Sequence, residues 1–493
     1  MPTLKELLKG IKYKDKSKVL DVDIKNVSYN SKRVTKGTLF VAIKGSNFNG
    51  HDFIQDAISN GAEAIVCEEN VKISNLVSKI VVDDTRKVLA QIAKNFYKPN
   101  VEKIKLIGIT GTNGKTTTSL LIDNILKQAK FNTAIIGTLG IRFKDTEFQE
   151  VNNTTPPSLL LYDSINKMVR DNIDYAIIEV SSHALDQDRV FGLKFNAAIF
   201  TNLSAEHLDY HKNINNYLKA KAKLFRQLEP KGIAVINKDD KVFSYLKKVT
   251  RAKIVTYAIK NKADFKAENI KLTLKGSQFI LKTPNEKVVI SSKLIGLHNI
   301  YNILAACCFC YYEKISLLDI RKGIELTRVI PGRLQEIKEN QPYRLFVDYA
   351  HTHDALENVL GALRHLLNSR SNIITVFGCG GERDKSKRPK MAKVADKYSD
   401  FIIITTDNPR GEDPQIICND IICGFPGKDE KKYTVILDRK DAINEALKMA
   451  ENDDIVLIAG KGHENKQIFK DRIISFNDID VVKDLLKNKK GRQ

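Results

Sequence analysis

The chain has 493 residues, 42% hydrophobic and 28% charged, with a formal net charge of +21. At roughly 100–200 residues per domain, this length suggests about three domains with ample core. No run of about 18 or more apolar residues occurs, so no membrane-spanning helix is expected. The opening Met1-Pro2-Thr3-Leu4-Lys5-Glu6 lacks the basic-then-apolar order of a signal peptide, and a cytoplasmic protein is expected. The positive charge suits either nucleic acid or small substrates rich in phosphate and carboxylate. The lysines are dispersed and the aromatics form no nucleic-acid motif, which favours small substrates. Lys487, Lys489, Lys490 and Arg492 read as a solvated tail. Cys67, Cys307, Cys308, Cys310, Cys379, Cys418 and Cys423 are odd in number and lack paired CxxC spacing, so disulfides are not expected, and Cys307, Cys308 and Cys310, in an apolar run, read as core residues and not metal ligands.

The predicted fold class is α/β in three domains. Residues 1–90 form a small N-terminal unit, with strands at 38–43, 64–66 and 79–82 and a helix at 53–59. Residues 91–331 form a central phosphate-loop domain. Its strands fall at 105–110, 133–136, 175–180, 197–200 and 233–236, separated by helices, which implies a parallel sheet covered on both faces. Residues 254–293 alternate like antiparallel strands. Past the Pro331-Gly332 hinge, residues 332–493 form a Rossmann-like unit with strands at 345–347, 373–377, 401–405 and 455–459.

Within the central unit, Gly111-Thr112-Asn113-Gly114-Lys115-Thr116-Thr117 follows a strand and opens a helix. Glycines let backbone N–H groups close around phosphate, and the helix N-terminus adds positive potential. Lys115 is expected to reach the β- and γ-phosphates, and Thr116 to ligate Mg²⁺. Ile109 occupies the position of the first glycine in the commoner GxxxxGK[ST] spacing. Glu179, ending a strand in Glu179-Val180-Ser181-Ser182-His183, faces the mouth of that loop and is a candidate Mg²⁺ ligand. His207 follows another strand of the same sheet and is a further metal candidate.

These motifs, with Gly296-Leu297-His298-Asn299-Ile300-Tyr301-Asn302, resemble the Mur ligase family over nearly the whole chain. The resemblance implies a Mg²⁺- and ATP-dependent amide ligase of peptidoglycan precursor synthesis. Its domains would hold a UDP-linked substrate, ATP and an amino acid in turn. Asp407-Asn408-Pro409-Arg410 is similar to the stretch found in members that add meso-diaminopimelate to a UDP-muramoyl dipeptide. The fork of Arg410 suits the second carboxylate, which lysine lacks. By resemblance, Arg383, Asp407, Asn408, Arg410, Gly460 and Glu464 hold the amino acid. Asn153, Thr154, Thr155, Ser181, Gln187 and Arg189 hold the UDP-muramoyl dipeptide, with Ser31 and His51 near its uridine end. His298, Asn299, Asn302, Arg333 and Asp348 join residues 111–117 at the nucleotide, with His351 nearby. Lys115, Glu179, His207 and Lys221 would be catalytic. Thr116, Glu179, His207 and a carbamylated Lys221 would serve the metal. A monomer acting on small molecules, without nucleic acid or membrane insertion, is expected.

The sequence departs from the family pattern at three places. His353 replaces a proline and is expected to loosen its turn. Asn30-Ser31-Lys32 replaces Asp-Ser-Arg, and Asn465-Lys466-Gln467 replaces a more typical Asp-Tyr-Gln. Related readings are a ligase that takes lysine and a folylpolyglutamate synthase. A nucleic-acid-driven NTPase is the reading from another class.

Overall fold

The computed structural model describes residues 1–17, 21–45, 48–368, 370–425 and 432–490. The side chains of Ser17, Asn488, Lys489 and Lys490 lie outside the described set, as does Arg492, so most of the expected basic tail does too. Among the described residues there are three principal sheets.

The first sheet contains β1 (Asp15–Ser17), β2 (Asn26–Ser28), β3 (Thr38–Val41), β4 (Ala62–Cys67) and β5 (Ser78–Val81). Its order is β1-β5-β4-β3-β2, parallel except for β1. Leu39, Val41, Ala64 and Val66 face one apolar layer, while Phe40, Ile65 and Cys67 face the other. This is the period-2 alternation of a sheet covered on both sides.

The division expected at residue 90 falls inside a helix. Helix Thr85–Tyr97 runs through it unbroken, capped by the Asp84 carboxylate and ending where Lys98 turns left-handed at φ 44°. Leu89 and Ile92 pack into the first core, whereas Ala93 packs into the second. One amphipathic helix therefore serves two domains, and periodicity alone cannot divide it.

The central sheet contains β6 (Lys105–Thr110), β7 (Thr133–Gly137), β8 (Gly140–Phe143), β9 (Tyr175–Glu179), β10 (Ala197–Phe200), β11 (Ile233–Asn237), β12 (Lys253–Ala258), β13 (Phe265–Thr273), β14 (Gly276–Lys282) and β15 (Lys287–Ser292). Its order is β15-β14-β13-β12-β11-β10-β6-β9-β7-β8. The strands from β13 to β7 are parallel, and antiparallel ribbons finish both edges. Helices Lys115–Gln128 and Leu297–Tyr312 cover one face. Cys307, Cys308 and Cys310 lie buried in that layer as free thiols.

The third sheet contains β16 (Gln335–Ile337), β17 (Arg344–Asp348), β18 (Ile373–Phe377), β19 (Phe401–Ile404), β20 (Tyr433–Val435) and β21 (Ile455–Ala459), ordered β16-β17-β21-β18-β19-β20. All neighbours are parallel except β16–β17. A separate hairpin pairs β22 (Lys466–Ile468) with β23 (Ile473–Ser475). Two of the family departures are absorbed locally. His353 is the first residue of helix His353–Leu366, whose cap is the Thr352 hydroxyl, and it stands where a proline is also accommodated. Asn30 caps the short helix Ser31–Arg33 through its side chain.

Candidate functional site

The phosphate loop leaves β6 and enters helix Lys115–Gln128. Two of its glycines are enforced by close approach. A Cβ at Gly111 would lie 1.9 Å from Thr201 Oγ1, and one at Gly114 (φ +88°) would lie 2.2 Å from Asn302 Oδ1. The loop is also held from the end of β10. Thr112 N–H donates to the Asn202 carbonyl at 2.8 Å. Asn113 N–H donates to Asn202 Oδ1 at 3.0 Å, and Thr201 Oγ1 donates to the Asn113 carbonyl at 2.6 Å. Thr116 and Thr117 are buried in the first helical turn.

Two lysines converge here. Lys115 Nζ folds back to donate to the carbonyls of Gly111 and Thr112, at 2.9 and 2.8 Å. Lys221, on helix Ile214–Arg226 and 1% exposed, donates to the same Gly111 carbonyl at 2.8 Å over the Tyr217 ring. Burial pushes both amines below the ordinary lysine range, Lys221 strongly, and the adjacent Lys115 charge pushes Lys221 further. Lys219 and Lys223 flank it nearer the surface.

Glu179 ends β9 and is buried. Its Oε2 accepts from the Thr116 and Thr138 hydroxyls, both at 3.0 Å, and its Oε1 from Thr138 N–H at 3.2 Å. Thr138 was not foreseen from sequence, since it sits in the β7–β8 turn. His207 adopts a left-handed conformation at φ 56°. Its ring lies 4.7 Å from that of His183, and burial lowers both imidazoles to about 4. Glu206, also unforeseen, lies 3.7 Å from His207 Nε2 and 3.5 Å from His351 Nε2. That pair bridges the central and C-terminal domains.

On the nucleotide side, Asn302 Nδ2 donates to Asn299 Oδ1 at 3.1 Å, and Asn299 Nδ2 donates to the Ile295 carbonyl at 2.9 Å. His298 stands one residue earlier on the same helix, lowered to about 4 by burial. Arg333 stacks on Tyr349, and buried Asp348 accepts N–H bonds from Leu334 and Ala350 at 2.6 and 2.7 Å.

The residues expected at the UDP substrate divide into two places. Thr155 is buried, donating to the Glu179 carbonyl at 2.8 Å and accepting from Ser181 N–H at 3.0 Å. Thr154 meets Thr138 through their hydroxyls, and Asn153 is exposed. Arg189 donates through Nε and Nη2 to Gln187 Oε1, at 3.1 and 2.8 Å, and through Nη1 to the Thr155 carbonyl at 2.7 Å. Arg86 of the first domain reaches the same Gln187 oxygen at 3.4 Å and the Lys44 carbonyl at 3.0 Å, a link with no local sequence signal. In the first domain, Ser31 offers its carbonyl to Asn60. His51 bonds Asn49 Oδ1 at 2.8 Å and accepts from Glu68 N–H at 2.9 Å. Its two ring nitrogens thus brace the loop.

A cleft of about 350 Å³ opens between the central and C-terminal domains, lined by Glu206 and His207 on one side and Arg383, Asp407, Asn408, Arg410, Gly460 and Glu464 on the other. Asn408 Nδ2 donates to Glu464 Oε2 at 2.8 Å, and buried Lys461 donates to Asn408 Oδ1 and Glu464 Oε2 at 3.2 and 3.1 Å. Arg410 Nη1 donates to the Gly381 carbonyl at 2.8 Å and more weakly to that of Asn408. Among the described residues its Nε and Nη2 form no hydrogen bond, and Arg410 is one of the residues that line the cleft. Gly460 N–H donates to the Asp348 carbonyl, joining β21 to β17, and Arg383 is exposed.

Among the described residues, no three His, Cys, Asp or Glu side chains form a metal cage. The Thr116 hydroxyl beside the Glu179 carboxylate is the sparser oxygen set that suits Mg²⁺, which keeps waters and takes phosphate ligands.

The parallel central sheet and this loop define a phosphate-loop class of protein, and sequence comparison narrows it to a family of ligases. The Mur ligase middle domain matches residues 109–310, the Mur ligase glutamate ligase domain residues 332–462, and the Mur ligase family catalytic domain residues 23–97. The chain belongs to the Mur ligase family. It is 42% identical to the UDP-N-acetylmuramoyl-L-alanyl-D-glutamate–2,6-diaminopimelate ligase of Geobacillus thermodenitrificans, across 95% of this chain and 96% of that protein. It is 41% identical to the ligase of the same name from Syntrophomonas wolfei, across 99% of each. A solved structure of a ligase with that name covers 99% of both chains at 30% identity and a TM-score of 0.69. A folylpolyglutamate synthase from Mycobacterium tuberculosis shares the fold at 17% identity, covering 76% of this chain and 92% of its own, with a TM-score of 0.62.

Proposed function

We propose that this chain uses ATP to join meso-diaminopimelate to the D-glutamate carboxylate of UDP-N-acetylmuramoyl-L-alanyl-D-glutamate, as a cytoplasmic monomer in peptidoglycan precursor synthesis. The observation that carries this reading is Arg410 lining the cleft together with Asn408 and Glu464, its fork held through Nη1 alone. The names of the relatives support it.

A carboxylate is a poor electrophile. Its oxygen attacks the γ-phosphorus of ATP, ADP leaves, and an acyl phosphate forms. The acceptor amine then attacks the acyl carbon, phosphate departs, and the nitrogen loses a proton. Positioning and charge neutralisation supply most of such catalysis. Lys115 swings from its own loop carbonyls onto the terminal phosphates. The Gln187–Arg189 pair and Ser181 orient the UDP substrate, with Asn153 and Thr154 beside them and Ser31 and His51 toward the uridine. His298, Asn299, Asn302, Arg333 and Asp348 shape the nucleotide side. Mg²⁺, held by Thr116, Glu179 and His207, would neutralise phosphate charge when bound. Lys221, buried and pushed toward the neutral amine, is suited to take up CO₂ as a carbamate and add a negative charge for a second cation. The cleft admits the acceptor amine and limits water, which would hydrolyse the acyl phosphate.

The test mixes protein, Mg-ATP and the UDP dipeptide with either meso-diaminopimelate or L-lysine, reading phosphate release and product mass together. Amide product with diaminopimelate alone is expected. Product with lysine alone would overturn the acceptor, and ADP without amide would overturn the ligase reading.

A further inference from the structure

Two loops present the acceptor-facing side chains. Residues 378–384 follow β18 and carry Arg383, while residues 405–413 follow β19 and carry Arg410. Each loop holds a non-glycine residue in a left-handed conformation, Glu382 at φ 53° and Arg410 at φ 53°. Such conformations persist where the surroundings over-determine them. Gly381 N–H donates to the Asn408 carbonyl at 2.9 Å, and Arg410 Nη1 returns a bond to the Gly381 carbonyl.

Behind the loops lies Arg388 of helix Lys387–Tyr398, a guanidinium with no exposure. Its Nη1 donates to Asp420 at 2.8 Å, which already supplies a counter-charge. Its Nη2 goes further, donating to Glu412 Oε2 at 3.0 Å and to the Gly380 carbonyl at 3.3 Å. The other Glu412 oxygen, Oε1, accepts the Glu382 N–H at 2.5 Å, and Lys385 approaches Oε2 at 3.4 Å. One arginine and one carboxylate thus fasten both loops from below, next to the backbone carbonyl that holds one end of the Arg410 fork.

We infer that Arg388 and Glu412 form a strut that positions Arg410, and that this strut sets the preference for an acceptor with a second carboxylate. Both are positioning residues and neither lines the cleft. A bidentate fork discriminates only while its plane is fixed, because its energy depends on two parallel bonds forming together. Slackening the strut costs acceptor recognition and leaves the phosphate loop, in another domain, untouched. The inference rests on the proposed meeting of Arg410 with an acceptor carboxylate.

The test uses the full chain and the variants Glu412→Gln, Arg388→Lys and Arg388→Met. KM is measured separately for ATP, the UDP dipeptide, meso-diaminopimelate and L-lysine, alongside thermal melting. Glu412→Gln is expected to raise the diaminopimelate KM roughly 10- to 100-fold, the range for losing a charge-assisted bond. The preference over lysine narrows in step, while the ATP and UDP-dipeptide KM values stay within about twofold. Arg388→Lys should lie between wild type and Arg388→Met. An unchanged acceptor KM and preference in Glu412→Gln would refute the strut, as would all KM values rising together with a lower melting temperature. If Arg388→Met does not fold, Glu412→Gln decides. If the wild type takes a different amino acid, the acceptor reading fails, and the strut stands or falls on the KM for that amino acid.

Discussion

The two larger sheets both gather polar groups at the carboxyl ends of parallel strands, but they balance charge in opposite ways. At the central sheet, Lys115 and Lys221 share one carbonyl oxygen, and burial weakens the charge on each. At the C-terminal sheet, Lys461 meets Glu464 and Arg388 meets Glu412, so cations are matched by carboxylates before any ligand arrives. Glu206 and Glu179 lie near enough to offset part of the Lys115 charge, but among the described residues neither is ion-paired to Lys115 or Lys221. A pocket of paired charges sorts ligands by geometry, and this contrast separates the phosphate-loop site from the C-terminal cleft more clearly than the folds do.

The strongest way to break the contrast is at its cationic end. Lys115→Met should reduce kcat roughly 10²- to 10³-fold, as removal of a preorganised charge donor does, with the acceptor KM little changed. Steady-state phosphate release checks this, and a matching rise in acceptor KM would mean that the two ends are not separable. At the other end, Arg410→Lys keeps the charge but loses the fork. The diaminopimelate KM should rise about 10- to 100-fold at unchanged ATP KM, measured by product formation under saturating nucleotide. The smallest effect separates the two ends by stability. Burial lowers His298 at the central end and His463 at the C-terminal end to about 4. Each is neutral in the fold and takes up a proton on unfolding, where its value is ~6.5. Stability is therefore intact above about 6.5 and falls as pH drops toward about 4. Melting curves of His298→Asn and His463→Asn across that window should each be flatter than wild type, and an unaltered slope would exclude that histidine.

What the sequence made legible is what is local. The strand, glycine loop and helix at 105–128 are contiguous, and their periods and turn residues agree. Glu179 was legible for the same reason, as a carboxylate at a strand end. The Glu206–His351 pair and the Arg86–Gln187 bridge were not, because each joins residues whose meeting depends on how domains dock. The partners of His51 were not legible either: its ring nitrogens meet Asn49 and Glu68, the latter on a different segment of the first domain. That helix Thr85–Tyr97 carries apolar residues for two cores at once was not legible, because periodicity marks a buried face but not which core buries it.

The wedge of Asn302 against Gly114 has a consequence for how the protein is made. The loop leaves the ribosome well before the helix that gives it its final shape. At ~5–20 residues per second, the interval is on the order of ten to forty seconds. A nascent chain therefore carries the glycine loop without its brace, and the contact of Asn302 with Gly114 forms only once the covering helix has been synthesised and docked.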